Sequence, residues 1–175
     1  SGERLTHPTL LDTMPDAITI AGWVKPDATG MSSTQCWLSK INDTTYPFEM
    51  LWLRFNMSGS TPNVIGSSGF SAGTYFNCNS DVTWVDDTWY HVAFTWDADG
   101  CAIYIDGDLR GSDDAGIMSD VIVGRNPVDL SIGTAANASK LFKGIIDDVK
   151  LYDSVLSASD LQIFYHSAPG ITTYD

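Results

Sequence analysis

The stretches that decide the fold are Trp89-Tyr90-His91-Val92-Ala93-Phe94-Thr95-Trp96, Ile103-Tyr104-Ile105-Asp106-Gly107 and Gly144-Ile145-Ile146-Asp147-Asp148-Val149-Lys150-Leu151-Tyr152. Each is rich in β-branched and aromatic residues, which are typical of β-strands. Asp99-Gly100 and Asp106-Gly107 indicate hairpin turns, because glycine readily adopts the positive φ that tight turns require. This half of the chain therefore predicts short strands joined by tight turns.

The same pattern continues through the rest of the chain. Further strand-like runs are Ile18–Val24, Gln35–Ser39, Phe48–Asn56, Asn63–Ser67, Gly73–Asn77 and Val121–Val123. The low-complexity stretch Gly66–Gly73 is expected to be a loop. Many short strands with turns every ~8–12 residues are typical of an antiparallel sandwich. We therefore predict an all-β fold, a two-sheet antiparallel β-sandwich of the jelly-roll type.

One short helix is predicted near the end of the chain. Ser157 is a candidate N-cap, and Asp160, three residues later, is placed to return the hydrogen bond as in a capping box. The helix would run from Ala158 to Tyr165 and end before Pro169.

Size and charge limit the classes of partner. The 175 residues suit a single sandwich domain spanning residues 1–175. The formal net charge of −13 disfavours nucleic acid, anionic membranes and acidic polysaccharides. No apolar run reaches the ~18 residues of a membrane span, so membrane insertion is not expected.

The order of the runs resembles the laminin G-like domains of the concanavalin A-like lectin/glucanase superfamily. The matching motifs are Trp23-Val24-Lys25-Pro26, Trp89–Ala93, Tyr104–Gly107 and Gly144–Tyr152, and the resemblance covers residues 17–165. Residues 1–16 depart from the family's usual first strand, so that strand is either divergent, at Leu10-Leu11, or missing. The resemblance implies a sugar-binding or adhesive module of a larger extracellular, cell-surface or virion protein.

Catalysis is not expected, and no catalytic residue is assigned. Retaining glycosidases need two carboxyl groups ~5–5.5 Å apart, and Glu49 is the single glutamate within residues 17–165, which carry the resemblance. Asp147 and Asp148 are adjacent on a strand, so they point to opposite faces. His91 lies inside a framework strand, where its ring is expected to hydrogen-bond a neighbouring group. A polysaccharide-degrading enzyme is the third interpretation, after glycan binding and protein binding.

Aromatic side chains are the better guide to a binding site. In Phe48–Asn56, alternation places Leu51, Leu53 and Phe55 on one face, expected to be the core. Trp52 and Arg54 then share the other face, which is either open to a ligand or covered by a loop. Tryptophan stacks well on the C–H face of sugars. The predicted ligand-binding residues are Trp52, Arg54, Trp37 and Tyr75.

Asp147 is a candidate ligand for a structural calcium ion. The resemblance implies such an ion, held by a carboxylate of the last long strand and by main-chain oxygens near the N-terminus. Asp147 is the matching position in Gly-Ile-Ile-Asp. The alternative is a carboxylate that accepts hydrogen bonds from loop amides.

The three cysteines, Cys36, Cys78 and Cys101, allow at most one disulfide. Because all three lie in apolar or strand-like runs, we expect small buried thiols.

The sequence as a whole favours non-catalytic recognition of a glycan, neutral rather than acidic because of the net charge. The alternative is a protein-binding, adhesion or assembly domain, which a dry apolar patch would favour.

Overall fold

The computed structural model of the chain describes residues 5–7, 11, 15–27, 34–42, 49–55, 64–71, 74–114, 129–134 and 141–167. The strands in these residues are β1 (Leu5–His7), β2 (Ile18–Pro26), β3 (Gln35–Asn42), β4 (Glu49–Phe55), β5 (Val64–Ser71), β6 (Thr74–Thr83), β7 (Tyr90–Asp97), β8 (Gly100–Ile105), β9 (Asp108–Asp113), β10 (Leu130–Ile132) and β11 (Gly144–Tyr152). The helix is α1 (Ala158–His166).

Two antiparallel sheets pack face to face. The six-stranded sheet has the order β1-β10-β3-β4-β5-β6, and the five-stranded sheet has the order β11-β2-β7-β8-β9. Their inner faces supply one core of aliphatic and aromatic side chains, among them Trp37, Phe55, Phe94 and Trp96. Each fully buried large apolar side chain contributes about 1.5–3 kcal/mol through removal from water. The predicted two-sheet sandwich with one short C-terminal helix is confirmed.

Helix α1 begins where the sequence predicts. The Ser157 side chain accepts from the backbone N–H of Asp160, and the Asp160 carboxylate accepts from the backbone N–H of Ser157, a complete capping box. Leu161 of the helix is fully buried with Ala21 and Ala93 of the five-stranded sheet. The small alanines leave the space that lets the helix lie close to this sheet.

The predicted turns are also present. Asp106 and Gly107 join β8 to β9 with φ values of 55° and 83°. Both values are positive, as a type I′ hairpin turn requires. The Asp106 carboxylate accepts from the backbone N–H of His91 at 2.9 Å, which ties the turn to β7. The Asp99-Gly100 turn joins β7 to β8, with Gly100 at φ 129°.

The prediction of a loop at Gly66–Gly73 is wrong for most of that stretch, because β5 runs from Val64 to Ser71. Glycine and serine are poor strand formers by propensity, but β5 is paired on both sides, with β4 and with β6. Tertiary pairing therefore overrides local propensity. The predicted run Val121–Val123 lies outside the described residues.

The first strand in the described residues lies before Leu10-Leu11. It is β1, and Leu5–His7 pairs with β10 at the edge of the six-stranded sheet. Leu11 instead lies in a turn, with φ 63°, and packs against the core; Leu10 lies outside the described residues. Strands β9 and β10 were not predicted as separate elements.

The two sheets meet closely at one pair of edges. A Cβ atom added to Gly111 of β9 would lie 2.1 Å from the backbone oxygen of Asn79 in β6. Only glycine allows this approach, because any side chain would collide with backbone. The sandwich is therefore closed along β6 and β9. At the opposite edges, near β1 and β11, a groove of about 740 Å³ separates the sheets.

Candidate ligand-binding face

Strand β4 lies inside the six-stranded sheet, with β3 on one side and β5 on the other. Leu51, Leu53 and Phe55 are 0%, 1% and 0% exposed and belong to the core, as alternation predicts. Trp52 and Arg54 therefore face away from the five-stranded sheet, because successive side chains of a strand alternate between faces. We call this side of the six-stranded sheet the outer face.

Small polar residues flank Trp52 across the outer face. Trp52 pairs directly with Ser39 of β3 and with Ser68 of β5. Directly paired residues of antiparallel strands share a face. The row continues through Ser131 of β10 and Asn77 of β6. Serine is too small to cover an indole ring, so the two directly paired positions do not by themselves account for the partial burial of Trp52.

Trp52 itself is half-buried. The atom Nε1 of its indole has lost contact with solvent and has no hydrogen-bond partner among the described residues. An indole N–H at a recognition surface usually donates to a partner. A buried Nε1 is also found in the core residues Trp37, Trp84 and Trp96. What distinguishes Trp52 is therefore the part of its ring that stays exposed on the outer face.

One end of the row is covered. Ser39 and Ser131 are 0% and 1% exposed, and the Ser39 hydroxyl donates to the backbone oxygen of Thr134 at 2.8 Å. The chain that follows β10 therefore lies over this part of the outer face. Both alternatives for the outer face hold in part, since it is covered at β3 and β10 and partly open at Trp52.

Arg54 was expected to be exposed beside Trp52, and the structure corrects this. It lies on the outer face, paired with Cys36 and Gly66, but it is only 8% exposed. Arg54 also takes part in interactions within the protein. Its register partner Cys36 is 0% exposed, so this part of the outer face is covered. Arg54 thus supports the face from within and is not an open contact point.

Trp37 was predicted to bind ligand, and its position contradicts this. It is 0% exposed and packs in the core between the sheets. The cause is a β-bulge: Cys36 pairs with Arg54 and Leu38 with Leu53, which leaves Trp37 as the extra residue. Its ring fills the space beside Gly22, where an added Cβ would lie 3.4 Å from Trp37 Cζ3.

The backbone position of Tyr75 is known, and its side chain is not described. Tyr75 pairs with Phe70 of β5, which in turn pairs with Met50 of β4. Met50 is two residues from Trp52 along β4. The backbone of Tyr75 therefore lies two rows away from Trp52 in the sheet. The assignment of Tyr75 to the ligand site stays a prediction.

Helix α1 packs on the outer face of the five-stranded sheet and covers its aromatic residues. Tyr165 stacks on Trp23 with ring centroids 5.7 Å apart, and Phe164 stacks on Tyr152 at 5.8 Å.

The helix has nine residues, and in the described part of the chain no helix is long and apolar enough to cross a membrane.

His91 lies beneath this covered face, 5.3 Å from the Trp23 ring. Burial, together with the Lys150 charge, lowers the pKa of His91 to about 4, although Asp148 acts in the opposite direction. Its ring atom Nδ1 has no hydrogen-bond partner among the described residues, so the expected ring hydrogen bond is not seen at that nitrogen. A buried, neutral imidazole is poorly placed to act on a substrate.

Asp147 lies at the open edge of the sandwich. It is exposed, and its carboxylate accepts from the backbone N–H of Asp148 at 2.8 Å. Asp148 in turn pairs with Lys150. Calcium takes 6–8 oxygen ligands, and the described residues contain no group of three or more His, Cys, Asp or Glu side chains suited to a metal. These residues do not form a calcium site by themselves, and calcium at Asp147 stays a prediction.

Solved structures of known proteins share this architecture at low sequence identity. Domain 4 of the extracellular GH43 arabinanase AbnA from Geobacillus stearothermophilus, in complex with arabinotriose, is 16% identical, with a TM-score of 0.67 over 94% of this chain and 82% of that one. The CBM40 of the Ruminococcus gnavus IT-sialidase, bound to α2,3-sialyllactose, is 17% identical, with a TM-score of 0.65 over 94% of each chain. The heptameric SAP-like pentraxin of Limulus polyphemus is 16% identical, with a TM-score of 0.58 over 96% of this chain and 76% of that one.

Sequence comparison gives the family. "Sushi, von Willebrand factor type A, EGF and pentraxin domain-containing protein 1" of Rattus norvegicus is 32% identical over 91 residues, which are 48% of this chain. The matched region is 3% of the length of that protein. The family model Laminin_G_3, of the concanavalin A-like lectin/glucanases superfamily, matches residues 1–162. The chain belongs to this laminin G-like family.

Proposed function

We propose that this chain is a non-catalytic glycan-binding module whose ligand stacks on Trp52 at the outer face of the six-stranded sheet. The observation that carries the proposal is the half-buried indole of Trp52 on the outer face, whose directly paired residues are serines. Sugars present apolar C–H faces and many hydroxyl groups. An indole ring and its N–H match both features.

The chain that follows β10 limits the site on one side, because Ser39 is 0% exposed beneath it. In our proposal the sugar ring lies on the half-buried Trp52 indole, away from β3. An open sheet face buries only part of a small ligand, so the affinity per site is low and linked copies raise it.

Neutral sugars fit the electrostatics of the chain better than acidic ones. The formal net charge of −13 repels sulfated and uronic sugars over long distances. On the outer face, Arg54 is 8% exposed and is occupied by interactions within the protein. A carboxylate ligand therefore gains little from that guanidinium.

A binding role is favoured over catalysis by the environment of the titratable groups. His91 is buried beneath α1, and Asp147 points to solvent beside the pair formed by Asp148 and Lys150. Hydrolysis of a glycosidic bond requires two carboxyl groups on either side of the scissile bond. Incubation with a broad polysaccharide panel should release neither reducing ends nor unsaturated products.

The similar proteins support an extracellular setting. They include a domain of an extracellular arabinanase, a carbohydrate-binding module of a sialidase and a pentraxin. In our proposal this chain likewise acts as one module of a larger secreted, cell-surface or virion protein.

A protein-binding or assembly role is the second candidate, and one observation favours it. Leu5, Leu141 and Ile145 are 71%, 49% and 50% exposed. Leu5 and Ile145 line the groove between β1 and β11. Exposed apolar side chains along one edge suit a protein partner better than a sugar.

The decisive experiment measures glycan binding by wild-type protein and two tryptophan variants. A glycan array identifies ligands, and calorimetric titration with arabinotriose and with 3′-sialyllactose compares a neutral with an acidic probe. Trp52→Ala should weaken binding of array-positive glycans about tenfold, or ~1.4 kcal/mol. Trp52→Phe, which keeps a ring and removes the N–H, should weaken it less.

Trp89→Ala is the matched control. Trp89 is also half-buried, but it packs against Trp23 on the other sheet, with ring centroids 6.5 Å apart. Its loss should leave glycan affinity unchanged. Equal affinities for wild type and Trp52→Ala would contradict the proposed site, and tighter binding of the sialylated probe would contradict the preference for neutral sugars.

A further inference from the structure

Two cysteines from opposite sheets face one another inside the sandwich. Cys78 of β6 pairs with Ser67, in the row that contains Leu53, so it points into the core. Cys101 of β8 pairs with Trp96, also a core residue. They are 0% and 6% exposed.

The two residues are in direct contact. The Cys78 thiol donates to the backbone oxygen of Cys101, with Sγ and O 3.9 Å apart. A hydrogen bond between the two thiols is the largest cause of the raised pKa of Cys101, and burial is the second. Both sulfur atoms are therefore in the same small region between the sheets.

The backbone around the pair fixes this arrangement. Gly111 lies against Asn79, the residue next to Cys78, at the closest approach of the sheets. Gly111 pairs with Ile103, which is two residues from Cys101 on β8. Each cysteine is thus within two residues of the point where the strands of the two sheets are held together. A crosslink there would not require the sheets to move far.

We propose that Cys78 and Cys101 form a disulfide that joins the two sheets when the chain folds in an oxidising compartment, and that Cys36 remains a thiol. Cys36 pairs with Arg54 on the outer face, so the six-stranded sheet separates it from the pair. The joined residues enclose a segment long enough for the crosslink to restrict the unfolded chain substantially.

The oxidant is a small-molecule disulfide of the glutathione class. The thiolate of one cysteine attacks its S–S bond, forms a mixed disulfide and releases one glutathione thiolate. The second cysteine, as its thiolate, attacks the protein sulfur of the mixed disulfide and releases the second. The protein thiols lose two electrons and two protons, and oxidised glutathione becomes two reduced molecules.

Burial controls when this exchange takes place. Thiolates are the reactive form, and the raised pKa of Cys101 together with the exclusion of solvent disfavours thiolate in the folded state. The bond therefore forms before β6 and β9 close over the pair. Once formed, it is protected from reductants by the same packing.

The test is refolding of the full chain from denaturant in a mixture of oxidised and reduced glutathione. Free thiols are then blocked with iodoacetamide, and the protein is digested without reduction for mass spectrometry. We expect a linked pair of peptides containing Cys78 and Cys101, lighter by two hydrogen atoms than the free peptides, with Cys36 alkylated. Protein secreted through an oxidising compartment provides a second sample that needs no refolding.

Thermal melting adds an independent readout. The oxidised protein should melt roughly 5–10 °C above the reduced protein. Cys36→Ser should keep the linked peptides and the shift, and Cys101→Ala should lose both. Folded protein with all three thiols alkylatable after oxidative refolding, a linkage that involves Cys36, or a lower melting temperature on oxidation would each overturn the proposal.

Discussion

The outer faces of the two sheets carry aromatic residues of the same kind but differ in what covers them. On the five-stranded sheet, Trp23 and Tyr152 are stacked by rings from α1, and Leu161 fits between two alanines. On the six-stranded sheet, Trp52 is flanked by serines, and no ring contact to it is found in the described part of the chain. An outward tryptophan by itself therefore indicates nothing about ligands, and its cover decides whether it is structural.

The largest expected effect separates a core tryptophan from one on the outer face. Trp37→Ala should reduce the free energy of unfolding by about 3–5 kcal/mol, because Trp37 is fully buried between the sheets. Trp52→Ala should cost only about 1–2 kcal/mol, because part of its ring stays in water. Denaturant titration of both variants measures the difference. Equal losses of unfolding free energy in the two variants would show that Trp52 is a core residue and would contradict its role in ligand binding.

The next effect concerns the packing of helix α1 on the five-stranded sheet. Leu161→Ala should cost about 3 kcal/mol of stability, since the removed atoms are fully buried against Ala21 and Ala93. Ile163→Ala is the matched control on the same helix, because Ile163 is 61% exposed and its truncation should cost less than about 0.5 kcal/mol. Similar melting curves for the two variants would mean that α1 does not anchor through Leu161.

The buried His91 predicts a pH dependence of stability. Its folded-state pKa of about 4 lies below the ordinary value of 6.5, so the unfolded chain binds the proton more readily. Stability should therefore be highest above pH 6.5 and fall by up to about 3 kcal/mol as the pH drops towards 4. Denaturant titrations from pH 7.5 to 4 measure this slope.

The variant His91→Gln isolates the contribution of His91 to the pH dependence of stability. Asp106, whose pKa is raised mainly by burial, acts with the opposite sign, because the folded state holds its proton more readily. Wild type and variant share Asp106, so the difference between their slopes belongs to His91. Identical slopes would show that the imidazole is not buried in neutral form.

The open edge near β11 is the place to test for calcium. If Asp147 is a ligand, calcium at a hundredfold excess over its Kd should stabilise the fold by about 2.7 kcal/mol. Melting temperatures in millimolar calcium and in chelator should then differ by several degrees, and Asp147→Asn should abolish the difference. Coincident melts of the wild type would exclude a structural role for the ion.

Local pattern in the sequence predicts most of the framework. The alternation in β4 places Leu51, Leu53 and Phe55 correctly, and the Ser157–Asp160 pair locates the helix start, because both depend on neighbours within a few residues. The row of serines beside Trp52 depends on strand register, which no single run encodes.

The misplaced residues have non-local causes. The β-bulge that turns Trp37 inward arises from the pairing of β3 with β4, and the burial of Arg54 depends on what covers the outer face. Likewise, β5 is a strand because β4 and β6 pair with it, despite its glycines and serines. Each of these features is set by partners distant in the sequence.

The bulge in β11 has a consequence for how separate copies of the protein avoid one another. A free strand edge offers unpaired N–H and C=O groups that can recruit a strand from another molecule. In β11 the regular pairing breaks between Asp147 and Lys150, Asp148 has φ 49°, and charged side chains occupy the break. At the other free edge, β1 has only three residues, while β6 and β9 shield each other. These features disfavour intermolecular sheet extension along the β11 edge.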